Sequence, residues 1–247
     1  MIWVINTLVY ILTLFMMVSP NKGLNRLVFL GPDLRTLENW GALNAYEIRY
    51  NFQIWRLFTS LFLSIGFSEY MISSGALLVI GFMVENPKMS AARMAMFYFL
   101  SGILGNLFSV CVESELSVGS MPAVMALVSG MLGTVIVNWK ALHGVGMMRI
   151  CIIFMLVMLF VVILLLSAQP DAIPYVFKGV SMTAEAGGFM SGLGLGMMMM
   201  PYALQRPSPY VKMIRKIGFI YTLIYCAIII PVFFCVVEPA NVWFFWK

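Results

Sequence analysis

Few side chains in this sequence could do chemistry, and those that could sit among apolar neighbours. Ser120 is a candidate nucleophile, and Glu69 and Glu185 are carboxylates placed at or inside apolar segments. A serine hydroxyl is a weak nucleophile until an adjacent base takes its proton. The chain has a single histidine, His143. It follows the apolar segment that Ser120 opens, a full segment length away, so it reads as a solvated loop residue. A desolvated carboxylate such as Glu185 is the remaining base. The four cysteines, Cys111, Cys151, Cys226 and Cys235, show no CxxC spacing, and three lie inside apolar runs. They read as buried thiols rather than a metal site or disulfide framework. No metal and no cofactor is expected.

The elements that must position these groups follow from composition. Of 247 residues, 62% are apolar and 10% charged, against about 45–50% and about 25% in soluble domains. Fifteen basic and ten acidic side chains are too few to cover a soluble globule of this size. The chain is therefore expected to be an all-α polytopic membrane protein. This excludes soluble enzymes, disordered scaffolds and secreted disulfide domains. The 20 Gly and 22 Met suit helices packed closely in lipid rather than a β-barrel. No Lys/Arg cluster is dense enough for nucleic acid.

A bilayer core of about 30 Å takes about 20 apolar residues per helix. Segments 2–19, 69–85, 93–112, 119–139, 149–168, 181–201 and 217–237 qualify. The first has no basic n-region or small-residue cleavage site before it and is expected to be a retained span. Pro87, Pro201, Pro207 and Pro209 fall where breakers between helices belong, and Pro231 should kink the last helix. The long connection 21–68 holds a short apolar stretch, Leu57 to Leu63, too short to span and expected to be re-entrant or interfacial. Gly188, Gly192 and Gly196 recur every four residues on the sixth segment, and Ala126 and Gly130 do so on the fourth. Small stripes let backbones approach, so helix six should pack on helix four. Met197 to Met200 suits lipid or core contact, with an adaptable client surface as the alternative. Trp243 to Trp246 reads as an interfacial aromatic belt, with Trp3 as an anchor for the first span.

Orientation follows the Lys/Arg bias of short loops. With seven spans, one side carries Lys88, Arg93, Lys140, Arg149, Arg206, Lys212, Arg215 and Lys216. The other carries seven basic residues, five of them in the long first loop, and nine of the ten acidic ones. In short loops the basic count is eight against two. The N-terminus is thus expected on the cytosolic or matrix side, and the first loop on the lumenal, exterior or intermembrane-space side. Lys212, Arg215 and Lys216 read as topology determinants.

The stretch Gln53-Ile54-Trp55-Arg56-Leu57-Phe58-Thr59-Ser60-Leu61-Phe62-Leu63 resembles the first-loop signature of the rhomboid intramembrane proteases. Gly66-Phe67, then Gly81 and Glu85, follow at family spacing. Tyr98-Phe99-Leu100-Ser101-Gly102 with Gly105-Asn106, Ser117-Val118-Gly119 with Ala123, Ala126 and Leu127, and Gly187-Gly188-Phe189-Met190-Ser191-Gly192 continue the pattern in order. The resemblance covers about 40–200. It implies a single membrane domain over 1–247: a six-helix core to about 201 and one extra C-terminal helix at about 217–237.

The resemblance also implies a catalytic set, and this chain departs from it. The family's serine follows Gly-x-Ser-Gly-Ala; here Gly119-Ser120-Met121-Pro122-Ala123 puts Met121 at the nucleophile position. The base, two residues before the Gly-Gly pair, is Glu185. The oxyanion histidine and asparagine positions hold Glu69 and Ser73, and a first-loop histidine position holds Ser64. Sliding the register makes Ser120 the serine but misplaces Ala123 and Leu127, and one residue on a helix turns a side chain by about 100°. What remains is Glu69, Ser120, Met121 and Glu185, expected to converge on the first-loop side. Glu69 and Glu185 read first as solvated carboxylates at helix N-termini. A groove for a polar or basic feature of a client helix is the functional alternative, and a proton or ion path a third. The resemblance therefore implies a pseudoprotease that binds transmembrane helices of client or partner proteins, in translocation, quality control or trafficking, within a hetero-oligomeric complex. An active protease using Ser120 and a purely structural subunit are the alternatives. The mitochondrial inner membrane and an ER or secretory membrane fit equally.

Overall fold

The computed structural model describes residues 2–16, 31–32, 34–84, 89–112, 116–140, 177–179, 181–201 and 208–235, with scattered residues between 150 and 161. The chain enters through α1 (Ile2–Phe15). The first loop then forms α2 (Leu34–Asn39), α3 (Ala45–Tyr50), α4 (Arg56–Thr59) and a 3-10 turn at Ser60–Phe62. Three long elements follow: α5 (Phe67–Val84), α6 (Ala91–Val112) and α7 (Met121–Val137). The last two helices are α8 (Met182–Met199) and α9 (Pro209–Cys235). Short strands β1 (Leu116–Ser117) and β2 (Phe177–Gly179) precede α7 and α8.

Helix starts are set locally. Asn44 caps α3, its side-chain oxygen accepting from the Tyr46 and Glu47 amides. Ser181 caps α8 by accepting from the Ala184 amide at 3.1 Å. Pro122 sits in the first turn of α7, where a missing N–H costs nothing.

Ala91–Val112 and Pro209–Phe234 are each long and apolar enough to cross a bilayer. The pair Arg56–Phe62 and Phe67–Gly81 would be a third, bent by 93° at its break, while Ile2–Phe15 and Met121–Val137 are shorter apolar helices. The short apolar stretch of the first loop thus turns sharply into α5. The chain is an all-α polytopic membrane protein.

Two expectations need correction. The last helix begins at Pro209 rather than near 217, because proline fits the first helical position as well as it breaks an interior one. Lys212, Arg215 and Lys216 therefore lie on its first turns, not in a loop, and the helix continues through Pro231. Cys111 and Cys226 are half-buried rather than buried. Most of segment 149–168, together with Glu85, His143, Cys151 and Trp243 to Trp246, lies outside the described residues.

Helix α7 is the centre: every residue from Met121 to Gly130 is buried. Helix α8 lies on it backbone to backbone. A Cβ added at Gly188 would land on the Pro122 carbonyl, one at Gly192 on the Ala126 backbone, and one at Gly196 on the Cα of Gly130. Gly105 of α6 meets Gly188 and the Ala184 carbonyl in the same way. The Ser191 hydroxyl donates to the Ser101 carbonyl at 3.0 Å, tying α8 to α6. Met200 is fully buried and Met197 nearly so, which makes this methionine run core rather than free surface. Helix α9 seats on α8 through Gly194 against Tyr221 and Gly218 against Met197. Helix α1 is held to α5 by stacked Tyr10 and Tyr70 rings, 4.5 Å apart. Trp3 packs against the core.

Gly188→Ala should lower stability by about 1–3 kcal/mol, the usual cost of overpacking. Gly75, on α5, has open space where a Cβ would go. Gly75→Ala should be neutral or stabilising by up to about 1 kcal/mol. Thermal unfolding in detergent, followed by tryptophan fluorescence, compares the two.

Candidate functional site

The site is assembled by backbone pairing at one end of the bundle. Strands β1 and β2 run parallel, pairing Leu116 with Phe177 and Ser117 with Gly179, so α7 and α8 start side by side. Leu43 of the first loop forms an antiparallel bridge with Ser117. The Gly119 amide donates to the Ser60 carbonyl at 3.3 Å. These bonds satisfy irregular backbone where membrane-depth water is scarce.

The first loop is fastened from below. Asn106 on α6 donates to the Leu57 carbonyl and to the Ser60 hydroxyl, both at 2.9 Å. Arg56 is buried, donating to the Glu38 and Ala42 carbonyls and, through Nε, to Gln53. Burial lifts the Glu38 carboxyl above its usual range, and the nearby Arg56 charge offsets this only in part.

Met121 occupies the first residue of α7 and is fully buried. Ser120 precedes it as the N-cap residue, yet its hydroxyl makes no capping bond. Instead Ser120 and Asn6 lie near the Tyr98 hydroxyl, which has no partner in hydrogen-bonding geometry among the described residues. Glu69 stands in the first turn of α5. One carboxylate oxygen accepts from the Ile65 amide at 2.6 Å, closing the N-terminus of its own helix. The other oxygen rests against Gly119, where an added Cβ would be 2.6 Å away. Gly119 also has φ +140°, a backbone state in which only glycine is unstrained. Glu185, in the first turn of α8, is close enough to Glu69 for the two carboxyls to interact electrostatically. It lies one turn before Gly188, whose Cα rests on Pro122. Positions 121 and 185 thus share one end of the α7–α8 contact.

The solvated reading of the carboxylates does not hold: Glu69 is 5% and Glu185 1% exposed. The strand ladder and the first loop pack at the helix ends, and Ser120 and Met121 are buried with the two carboxylates. Ser64 and Ser73 are also buried, and the Ser73 hydroxyl donates to its own helix at the Tyr70 carbonyl. Asn6 and Tyr98 join the site from α1 and α6, and no motif spacing in the sequence links them to Ser120. A lone amide in an apolar first segment was the available signal.

Chemically the arrangement is incomplete. Met121 offers a thioether and Glu185 a carboxylate, and among the described residues no histidine stands with them. Among the described residues no group of three or more His, Cys, Asp or Glu could hold a metal.

These features define a helical membrane protein with a closed polar site at the helix ends, and comparison with known proteins gives its family. A rhomboid-domain model matches residues 51–202. The chain belongs to the rhomboid family. It is 35% identical over 134 residues to "Inactive RHOMBOID-like protein 8" of Arabidopsis thaliana, covering 54% of this chain and 38% of that one. It is 30% identical to "RHOMBOID-like protein 7" of the same plant, covering 69% and 51%. It is 32% identical to "Rhomboid-like protease 3" of Toxoplasma gondii, covering 66% and 58%. The chain therefore matches about two-fifths to three-fifths of these relatives' length.

Glu69→Leu removes the acceptor of the Ile65 amide and should cost about 1–3 kcal/mol, whereas Glu69→Gln keeps an acceptor and should cost less. Unfolding midpoints of the two variants test this. Asn106→Ala should leave α4 and the 3-10 turn loosely held, seen as faster hydrogen exchange at 56–62 with exchange in α7 unchanged.

Proposed function

We propose that this protein is a non-catalytic member of the rhomboid family that binds transmembrane segments of client or partner proteins without cutting them. The observation behind this reading is the residue at position 121. A buried methionine has no proton to lose and no oxygen to attack with, and Glu185, buried in the first turn of α8, stands in place of an imidazole. One relative's name, "Inactive RHOMBOID-like protein 8", supports the same reading. Another is named a protease, so the residues of this chain carry more weight than its relatives' names.

Helix α5 supports the binding half of the proposal. Met71, Leu78 and Val79 are exposed along one face, with Gly75 open between them. That stripe, at helical spacing, offers a shallow apolar seat for another helix. The protein would act in membrane-protein translocation, quality control or trafficking, as a subunit of a membrane complex. The membrane would be the mitochondrial inner membrane or one of the secretory system, with the N-terminus on the matrix or cytosolic side.

Tagged protein solubilised in mild detergent should bring down a reproducible set of membrane proteins, identified by mass spectrometry. Gly75 is exposed with open space for a Cβ, so Gly75→Leu should leave folding intact, checked by an unchanged unfolding midpoint, and reduce that set. Protein that purifies alone, or a set indifferent to Gly75→Leu, would contradict the proposal.

A further inference from the structure

The first loop and the C-terminal helix enclose a feature that the proposed function does not use. Between α3, α4 and the end of α9 lies an apolar slot of about 180 Å³. Ile48, Leu57 and Phe233 form its buried floor. Ile230 and Phe234 of α9 and Phe52 of the first loop stand at its exposed edge. Its volume is below that of a compact small-molecule pocket, about 300 Å³ or more, and suits a length of acyl chain.

Two observations at the rim bear on what fills it. Phe52 is held at φ 54°, a region bulky residues avoid. Glu47 fixes this turn, its carboxylate accepting from the Asn51 and Gln53 side-chain amides at 2.9 and 2.7 Å, while its carbonyl accepts both backbone amides. The turn leaves Phe52 72% exposed beside the slot. Such strain persists where it serves a site. Beside it, Arg49 bridges the loop to α9, donating through Nη2 to the Phe234 carbonyl at 2.7 Å. Its Nη1 is buried and has no partner among the described residues. Arg49 adjoins the slot through Phe234, whose carbonyl it holds, and its guanidinium also lies 5.8 Å from the centre of the Tyr50 ring. A guanidinium nitrogen left without an acceptor beside an apolar slot calls for an anionic oxygen.

We propose that this slot is a phospholipid site, with an acyl chain between the first loop and α9 and the phosphate on Arg49. The geometry matches the bilayer: the slot lies at the first-loop end of a membrane-crossing helix, where headgroup phosphate meets hydrocarbon. A bound lipid would fasten the C-terminal helix to the first loop, adding to the contact that Arg49 and the buried apolar cluster around Phe233 make.

The test is photolabelling in phosphatidylcholine bilayers doped with phosphatidylcholine carrying a diazirine on one acyl chain, with crosslinks mapped by mass spectrometry. Labelling should concentrate on 48–57 and 230–234 over the exposed face of α5. Ile230→Trp should fill the slot and bring this labelling to the level of α5. Ile230 is half-exposed, so folding should survive, and an unchanged gel-filtration profile checks it. Arg49→Gln, at a site outside the core, should reduce labelling about ten-fold, the worth of one charge-assisted hydrogen bond. Uniform labelling of all apolar faces, labelling indifferent to both variants, or a protein helix crosslinked in the slot would overturn the proposal.

Discussion

Helices α7 and α8 touch through their backbones, with Gly188 on Pro122, Gly192 on Ala126 and Gly196 on Gly130. Lipid offers little drive for helices to associate by burying apolar surface, because the tails are as apolar as the side chains. Close van der Waals approach takes its place. Each glycine inside a helix costs about 1 kcal/mol relative to alanine, and the cost is offset only where a neighbour fills the space. The contact also fixes register: with Gly188 on Pro122, residues 121 and 185 must come to the same end of the bundle.

That end is closed by non-local pairing. The strands before α7 and α8, the bridge from Leu43 and the Asn106 anchor beneath the first loop together bury two carboxylates that would otherwise be solvated. Glu69 is tolerated there because one of its oxygens closes its own helix terminus and because helix N-termini favour negative charge. The result is a rhomboid-family helical frame with a buried polar end. Under the proposed function, helix binding would draw on surfaces such as the open stripe of α5 rather than on the buried site.

Much of this was legible in the sequence for physical reasons. Apolar length marks spans, and four-residue glycine spacing marks a helix stripe, so α6 and the stripe of α8 could be read from single segments. The start of α9 could not, because Pro209 serves equally as a breaker or as a first helical residue. Burial of Glu69 and Glu185 was also out of reach. It depends on strands of two and three residues far apart in the chain, which leave no periodic trace. Asn6 and Tyr98 meet beside Ser120 from separate helices, and the slot beneath Phe52 needs α9 brought to the first loop. These are tertiary facts, visible only when the chain is folded.

The central claim is that residue 120 is an unactivated serine and that no nucleophile stands at position 121. Treating the purified protein in bilayers with a fluorophosphonate probe tests it directly, because such probes modify serines that a neighbouring base has activated. The account predicts no adduct on any serine. An adduct at Ser120, lost in Ser120→Ala, would contradict it and restore a protease to the description.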